Sequence, residues 1–130
     1  MTTIALLMTA LLFGGMVLYA FGFAAFLFTA LPPQDAGPVI RKAFPHFYSF
    51  VMATAAAGAV LVWPSDGLSA LLLAAIALST LPTRQILMPA INAATDTGAR
   101  RRFQWLHGGS VLITLAHIAL AAWVLARFLP

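Results

Sequence analysis

The chain has 130 residues, of which 62% are hydrophobic and 8% are charged, and its mean hydropathy is +0.98. An ordinary soluble domain, with about 45–50% apolar and about 25% charged residues, is therefore excluded. The net charge of +4 does not indicate a nucleic-acid partner, because the basic residues stand between apolar stretches and not on a water-facing surface. The sequence has no cysteine, which excludes disulfides and thiolate chemistry.

Four uncharged stretches approach or exceed the roughly 20 residues that cross the hydrocarbon core of a bilayer. Helix-breaking Pro32-Pro33 ends the first stretch, a short Trp63–Gly67 turn joins the second and third as a hairpin, and a kink is expected near Pro82. The sequence predicts an all-α integral membrane protein, a single membrane domain whose four transmembrane helices form an up-down bundle. The predicted helices cover residues 3–31, 46–63, 67–88 and 103–127.

The basic residues are distributed unequally between the two sides of this bundle. The C-terminus holds Arg127 alone, and the second loop has no Lys or Arg. The other six basic residues lie in the first and third loops: Arg41, Lys42, Arg84, Arg100, Arg101 and Arg102. The positive-inside rule then predicts both termini on the outer (periplasmic) side of a bacterial inner membrane. The same six side chains are candidates for contact with anionic lipid headgroups.

The fourth predicted helix has two different faces. Trp105 and Trp123 lie on one line, about 27 Å apart along the axis, which is the spacing of two membrane interfaces. Together with Trp63 they are predicted interface anchors. The opposite arc is polar and should face the bundle or a partner. It contains His107, Ser110, Thr114 and His117, with Gln104 at its edge.

His117 is the strongest single candidate for a functional side chain, because it lies near the middle of a membrane span. Two interpretations stay open for the stripe to which it belongs. The stripe provides either helix packing, through hydrogen bonds across the bundle, or a pathway for a solute. No span contains Asp or Glu, so a proton relay has no carboxylate partner for His117.

Small residues recur at helical spacing on the first two helices and predict close helix packing. On the first helix they are Gly15, Gly22 and Ala25, and on the second Ala53 and Ala57. Packing inside the bundle and association with another chain both fit this pattern.

Cofactor chemistry has weak support in the sequence. His46 and His107 fall near the same ends of their helices, so haem or pigment binding is a third interpretation, but no cofactor and no metal site is predicted. No phosphate loop, nucleophile with a base, or carboxylate pair is present. We therefore expect that the protein is not an enzyme.

Three segments resemble a known family: LPPQDAGPVIRKAF after the first helix, TRQILMPAINA in the third, and RRFQWLHGGSVLIT opening the fourth. They resemble the small four-span membrane family of unknown function around human transmembrane protein two-hundred-and-five. The matching positions are Ala36-Gly37, Arg84, Pro89, Phe103, Leu106-His107 and Ser110. Where that pattern commonly has Asn, this chain has Thr114, which keeps a hydrogen-bonding group but lacks the amide. The resemblance implies a four-helix integral membrane protein and supplies no mechanism.

These observations lead to one preferred function and one main alternative. We expect a non-catalytic membrane protein that acts as an accessory or structural subunit of a larger membrane complex or as a homo-oligomer. Its partners would be the lipid bilayer and either other membrane-protein subunits or copies of itself. The alternative is a component of a transporter or channel for a small solute or metal that uses the polar face of the fourth helix.

Overall fold

A computed structural model describes residues 2–130 of the chain. This part of the chain is all helical, without strands, and forms four helices that are each long and apolar enough to cross a membrane. They cover Thr3–Ala30, Pro33–Val62, Gly67–Asp96 and Arg100–Ala126. The protein therefore has the architecture of a multi-pass integral membrane protein.

The second helix begins much earlier than the sequence predicted. It starts at Pro33, not near residue 46, so the segment expected to be a loop is helical. Pro33 occupies the first turn, where its missing N–H costs no hydrogen bond and its fixed φ suits a helix. Pro38 and Pro45 lie inside the helix, where each leaves a carbonyl one turn earlier without its usual partner.

The third helix also continues beyond its predicted end at residue 88 and reaches Asp96. The kink expected near Pro82 takes the form of a π-helical stretch at Thr83–Leu87, directly after this proline. A wider turn accommodates the backbone disturbance without ending the helix. A second π-helical stretch, Leu18–Phe23, interrupts the first helix. The fourth helix begins at Arg100, three residues before its predicted start, and ends at Ala126.

Each helix packs against two neighbours, so that the first contacts the second and fourth, and the third contacts the same two. The shared core is built from aliphatic side chains of all four helices. Its most completely buried members are Leu12, Met16, Val51, Val62, Leu73, Ile76 and Val124. Large exposed apolar residues such as Leu18, Leu78 and Leu112 cover the outside, as expected for surfaces that face lipid.

Two glycines bring helices close together in this core. A Cβ on Gly15 would lie 2.5 Å from the Phe50 ring, and one on Gly58 would lie 3.2 Å from Leu73 and 3.9 Å from Met8 and Thr9. Small residues allow this close approach of membrane helices. The contacts fix the register of the second helix against the first and third.

Candidate functional site

The predicted polar stripe of the fourth helix divides into two parts. Ser110 and His117 are buried and Thr114 is half-buried, whereas Gln104 and His107 are exposed at the start of the helix. The His107 ring stacks on Phe103, with centroids 5.3 Å apart. The part that enters the bundle therefore begins at Ser110.

His117 makes a hydrogen bond to the third helix. Its Nε2 atom is 2.8 Å from Ser79 Oγ. The same hydroxyl is 2.6 Å from the Ala75 carbonyl oxygen, to which it donates. Since a hydroxyl has one proton, Nε2–H of His117 is then the donor to Ser79, and Nδ1 is left as an acceptor. This bond is the cross-bundle partner that a buried histidine requires.

A small cavity lies beside His117, where all four helices meet. Its volume is about 10 Å³, close to the smallest space that holds one water. The polar side chains in its wall are Tyr48, Thr80, Thr83, Thr114 and His117. The cavity joins His117 and Thr114 of the predicted stripe to polar residues of the second and third helices that the sequence did not single out.

The threonines around this cavity already donate their hydroxyl protons to their own helices. Thr80 bonds to the Ile76 carbonyl at 2.7 Å, Thr83 to that of Ser79 at 2.9 Å, and Thr114 to that of Ser110 at 3.0 Å. Their oxygens retain acceptor capacity only. The cluster can therefore accept hydrogen bonds from one water-sized donor, and within residues 2–130 no group of three metal-binding side chains is present.

The six basic residues have different surroundings. Arg41 pairs with Asp96 of the third helix, with Nη2 and Oδ1 2.9 Å apart, and also donates to the Asn92 carbonyl. Arg84 is half-buried and its Nε donates to the Pro45 carbonyl at 3.3 Å. Both contacts join the second helix to the third near the prolines of the second. Exposed side chains remain at Lys42, Arg100, Arg101 and Arg102.

A polar cluster that the sequence did not predict lies at the opposite end of the bundle. Asp66 caps the third helix by accepting from the backbone N–H groups of Leu68 and Ser69. Its Oδ2 accepts from Ser69 Oγ at 2.6 Å and from Arg127 Nε at 2.8 Å. The Ser-Asp-Gly sequence before an apolar run marks such a cap, but the pairing with Arg127 required the packing of the fourth helix.

The Asp66 cluster has a clear electrostatic consequence. Hydrogen bonds from Arg127 and Ser69 hold the pKa of the Asp66 carboxyl well below its usual range. The reciprocal bond raises the pKa of Arg127. Both groups are thus charged at neutral pH. Among residues 2–130, Arg127 is the only Lys or Arg at this end of the bundle, and it is neutralised by a carboxylate with 10% side-chain exposure.

The predicted packing residues are not all inside the bundle. Gly15 is against Phe50, but Gly22, Ala25 and Ala53 are exposed and Ala57 is half-buried. A Cβ at Gly22 would meet only Leu18 of its own helix. The three tryptophans proposed as anchors are exposed, at 63% for Trp63, 76% for Trp105 and 60% for Trp123.

Comparison with known proteins yields one family. A family model described as "Domain of unknown function (DUF4149)" matches residues 7–100, which is well over half of the chain. This agrees with an uncharacterised membrane family and shows no link to human transmembrane protein two-hundred-and-five. Neither a curated protein nor a solved structure matches the chain.

Proposed function

Because the chain belongs to the family described as Domain of unknown function (DUF4149), whose description names no activity, we propose a function from the molecule itself. The protein is a non-catalytic subunit that associates, within the membrane, with copies of itself or with other membrane-protein subunits. The observation that supports this proposal best is the outward placement of small and polar residues on the second helix.

The exposed face of the second helix is unusual for a surface that meets lipid alone. Along one line it presents His46, Ser49, Ala53 and Ala56, all exposed. Lipid tails offer no partner to an imidazole, and small side chains give lipid little surface to contact, whereas both favour close approach of another helix. The exposed Gly22 and Ala25 of the first helix add a second surface of this kind.

The interior of the bundle favours association over transport through a single chain. The cavity beside His117 measures about 10 Å³, which is too small for a solute larger than water. The three threonines around it donate to helix carbonyls, and His117 is bonded to Ser79. A solute pathway would have to form between chains, so it would itself require assembly.

We place both termini on the outer side and the first and third connections in the cytoplasm of a bacterial-type inner membrane. An up-down arrangement is supported by contacts in which early residues of one helix meet late residues of the next. Examples are Arg41 with Asp96, Thr9 with Gly58, and Asp66 with Arg127. In this arrangement every Lys and Arg except Arg127 lies towards one end of the bundle, which is the distribution that the positive-inside rule associates with the cytoplasmic side.

Extraction in a mild detergent followed by native sizing tests the association. We expect an assembly larger than the 13.8 kDa chain, and we expect Ala53→Leu to weaken it because the larger side chain separates the helices. Ala75→Leu is the matched control, since Ala75 is exposed on the third helix. A lone chain without a co-purifying subunit would refute the proposal, and equal effects of the two substitutions would refute the assigned face.

The second candidate function is a transporter or channel component for a small solute or metal. One observation favours it: His117 and Thr114 line the same cavity as Tyr48, Thr80 and Thr83, so polar groups from three helices meet inside the membrane. Solute flux across vesicles that contain the reconstituted protein is the measurement. This candidate is supported if His117→Leu abolishes the flux and Ala75→Leu leaves it intact. It is refuted if the flux is unchanged in His117→Leu.

A further inference from the structure

An open groove lies where the third helix turns into the fourth. It has a volume of about 330 Å³ and is lined by Ala94, Thr95, Gly98, Arg100 and Phe103. Its size falls at the lower end of the range for ligand sites. The wall is almost entirely apolar and includes the Phe103 ring and two small residues, and the exposed Arg100 lies at its edge.

The turn that forms this groove is fixed by its own hydrogen bonds. Gly98 has φ +67°, a conformation that glycine adopts without strain. The N–H of Ala99 donates to the Ala94 carbonyl at 2.9 Å, and that of Gly98 donates to the Thr95 carbonyl at 3.2 Å. This is the usual close of a helix by a Schellman motif. The groove is therefore formed before any ligand arrives.

The positive charge beside the groove is not balanced by the protein. The two ion pairs among residues 2–130 use Arg41 and Arg127, so the consecutive Arg100, Arg101 and Arg102 have no carboxylate partner there. All three lie in the first turn of the fourth helix, where the helix dipole disfavours positive charge. An anion at this position would offset both the mutual repulsion of the arginines and their unfavourable interaction with the dipole.

The position of the groove identifies the kind of anion. It lies between the ends of two membrane helices, and the exposed Trp105 follows shortly after, as at a membrane interface. At such an interface, an apolar wall beside a positive charge is suited to bind a molecule that has an apolar body and an anionic head group. Phe103 and Ala94 would contact the acyl and glycerol portion, and Arg100 would contact the phosphate. We propose that this groove binds one anionic phospholipid.

Native mass spectrometry of the full chain in mild detergent tests the site. The probes are phosphatidylglycerol and phosphatidylcholine with the same acyl chains. We expect one tightly held phosphatidylglycerol per chain, and about fivefold weaker binding in Arg100→Gln, the effect of one basic side chain near an anionic surface. Thr95→Phe should weaken binding without a charge change, because the ring fills the groove.

Lys42→Gln is the matched control, because it removes one exposed positive charge from another helix. Unchanged binding in this variant, together with loss in Arg100→Gln and Thr95→Phe, supports the proposal. Equal losses in Lys42→Gln and Arg100→Gln would show a diffuse surface charge and overturn it. Equal retention of both lipids, or displacement of phosphatidylglycerol by millimolar inorganic phosphate, would also overturn the assignment to a phospholipid.

Discussion

Arg127 Nε lies 2.8 Å from Asp66 Oδ2 and joins the end of the fourth helix to the start of the third. The carboxylate also caps the third helix through Leu68 and Ser69. One side chain therefore fixes a helix end and ties it to its neighbour.

The bundle should lose stability in acid through Asp66. Its pKa is lowered in the folded protein, whereas in the unfolded chain it should be near the usual value of about 3.9. The unfolded state therefore takes up a proton at higher pH than the folded state. The contribution of Asp66 to the free energy of unfolding is complete above the pKa of the unfolded state, and it declines as the pH falls towards the pKa of the folded state.

Thermal unfolding in detergent between pH 7 and pH 2 measures this contribution. We expect Asp66→Asn to lower the unfolding midpoint at neutral pH and to reduce its acid dependence. Asp35→Asn is the control, because it leaves the Asp66–Arg127 pair intact. An acid dependence that is identical in the native chain and Asp66→Asn would contradict the assignment.

Two adjacent glycines of the first helix should respond oppositely to the same substitution. A Cβ at Gly15 would be 2.5 Å from Phe50, whereas one at Gly14 would have nothing within 4 Å. Gly15→Ala is expected to destabilise the fold by about 1–3 kcal/mol through overpacking. Gly14→Ala should stabilise it by up to about 1 kcal/mol, because alanine is the better helix former. The free energies of unfolding of the two variants are measured in mixed detergent. Equal effects of Gly15→Ala and Gly14→Ala would contradict the close contact between Gly15 and Phe50.

The hydrogen bond between Ser79 and His117 should contribute modestly to stability. Ser79→Ala leaves His117 Nε2–H without its acceptor, and we expect a cost of about 0.5–2 kcal/mol. His117→Leu should add little further loss in the Ser79→Ala background. A double-mutant cycle on unfolding free energies measures this coupling. Ser49→Ala is the control, because its hydroxyl bonds only to the Pro45 carbonyl of its own helix, and additive effects of Ser79 and His117 would refute the pairing.

The proposed orientation can be tested with single cysteines, because the natural chain contains none. Ser65→Cys in the second turn and Thr97→Cys in the third occupy exposed positions. In the proposed orientation, a membrane-impermeant maleimide should label Ser65→Cys in intact cells and should label Thr97→Cys only after permeabilisation. Thr2→Cys, which two spans separate from the Ser65 turn, should behave like Ser65→Cys. The reverse pattern would contradict the proposed orientation.

The sequence predicted the number of helices well and their ends less well. Apolar length fixes a membrane span because hydrocarbon excludes unpaired backbone groups. The helical segments outside the apolar stretches were missed, since Pro38 and Pro45 were expected to lie in a loop. Tertiary contacts such as the hydrogen bond from Arg84 to the Pro45 carbonyl hold this helix against the third, although the carbonyl that a proline leaves without a donor is the one four residues earlier.

The candidate site was also predicted only in part, because the prediction assumed that every helix is regular. Spacing at 100° per residue predicts Ser110, Thr114 and His117 on one side of a helix, and in the structure Ser110 and His117 are buried and Thr114 is half-buried on the fourth helix. It failed between Gly15 and Gly22, because the π-helical turn at Leu18–Phe23 holds more residues than an α-helical turn and rotates the remainder of the helix about its axis. Gly15 consequently contacts Phe50, while Gly22 faces outward.

The interruptions of regular helix are concentrated in one half of the molecule. Both π-helical stretches and the internal Pro38, Pro45 and Pro82 lie towards the end that carries the basic residues. The other half, which includes Thr3–Val17 and residues 67–81, is regular and is held by the Asp66 cluster. The bundle is therefore mechanically asymmetric, and a bending motion would hinge in the basic half while the clamped half moves as a rigid unit.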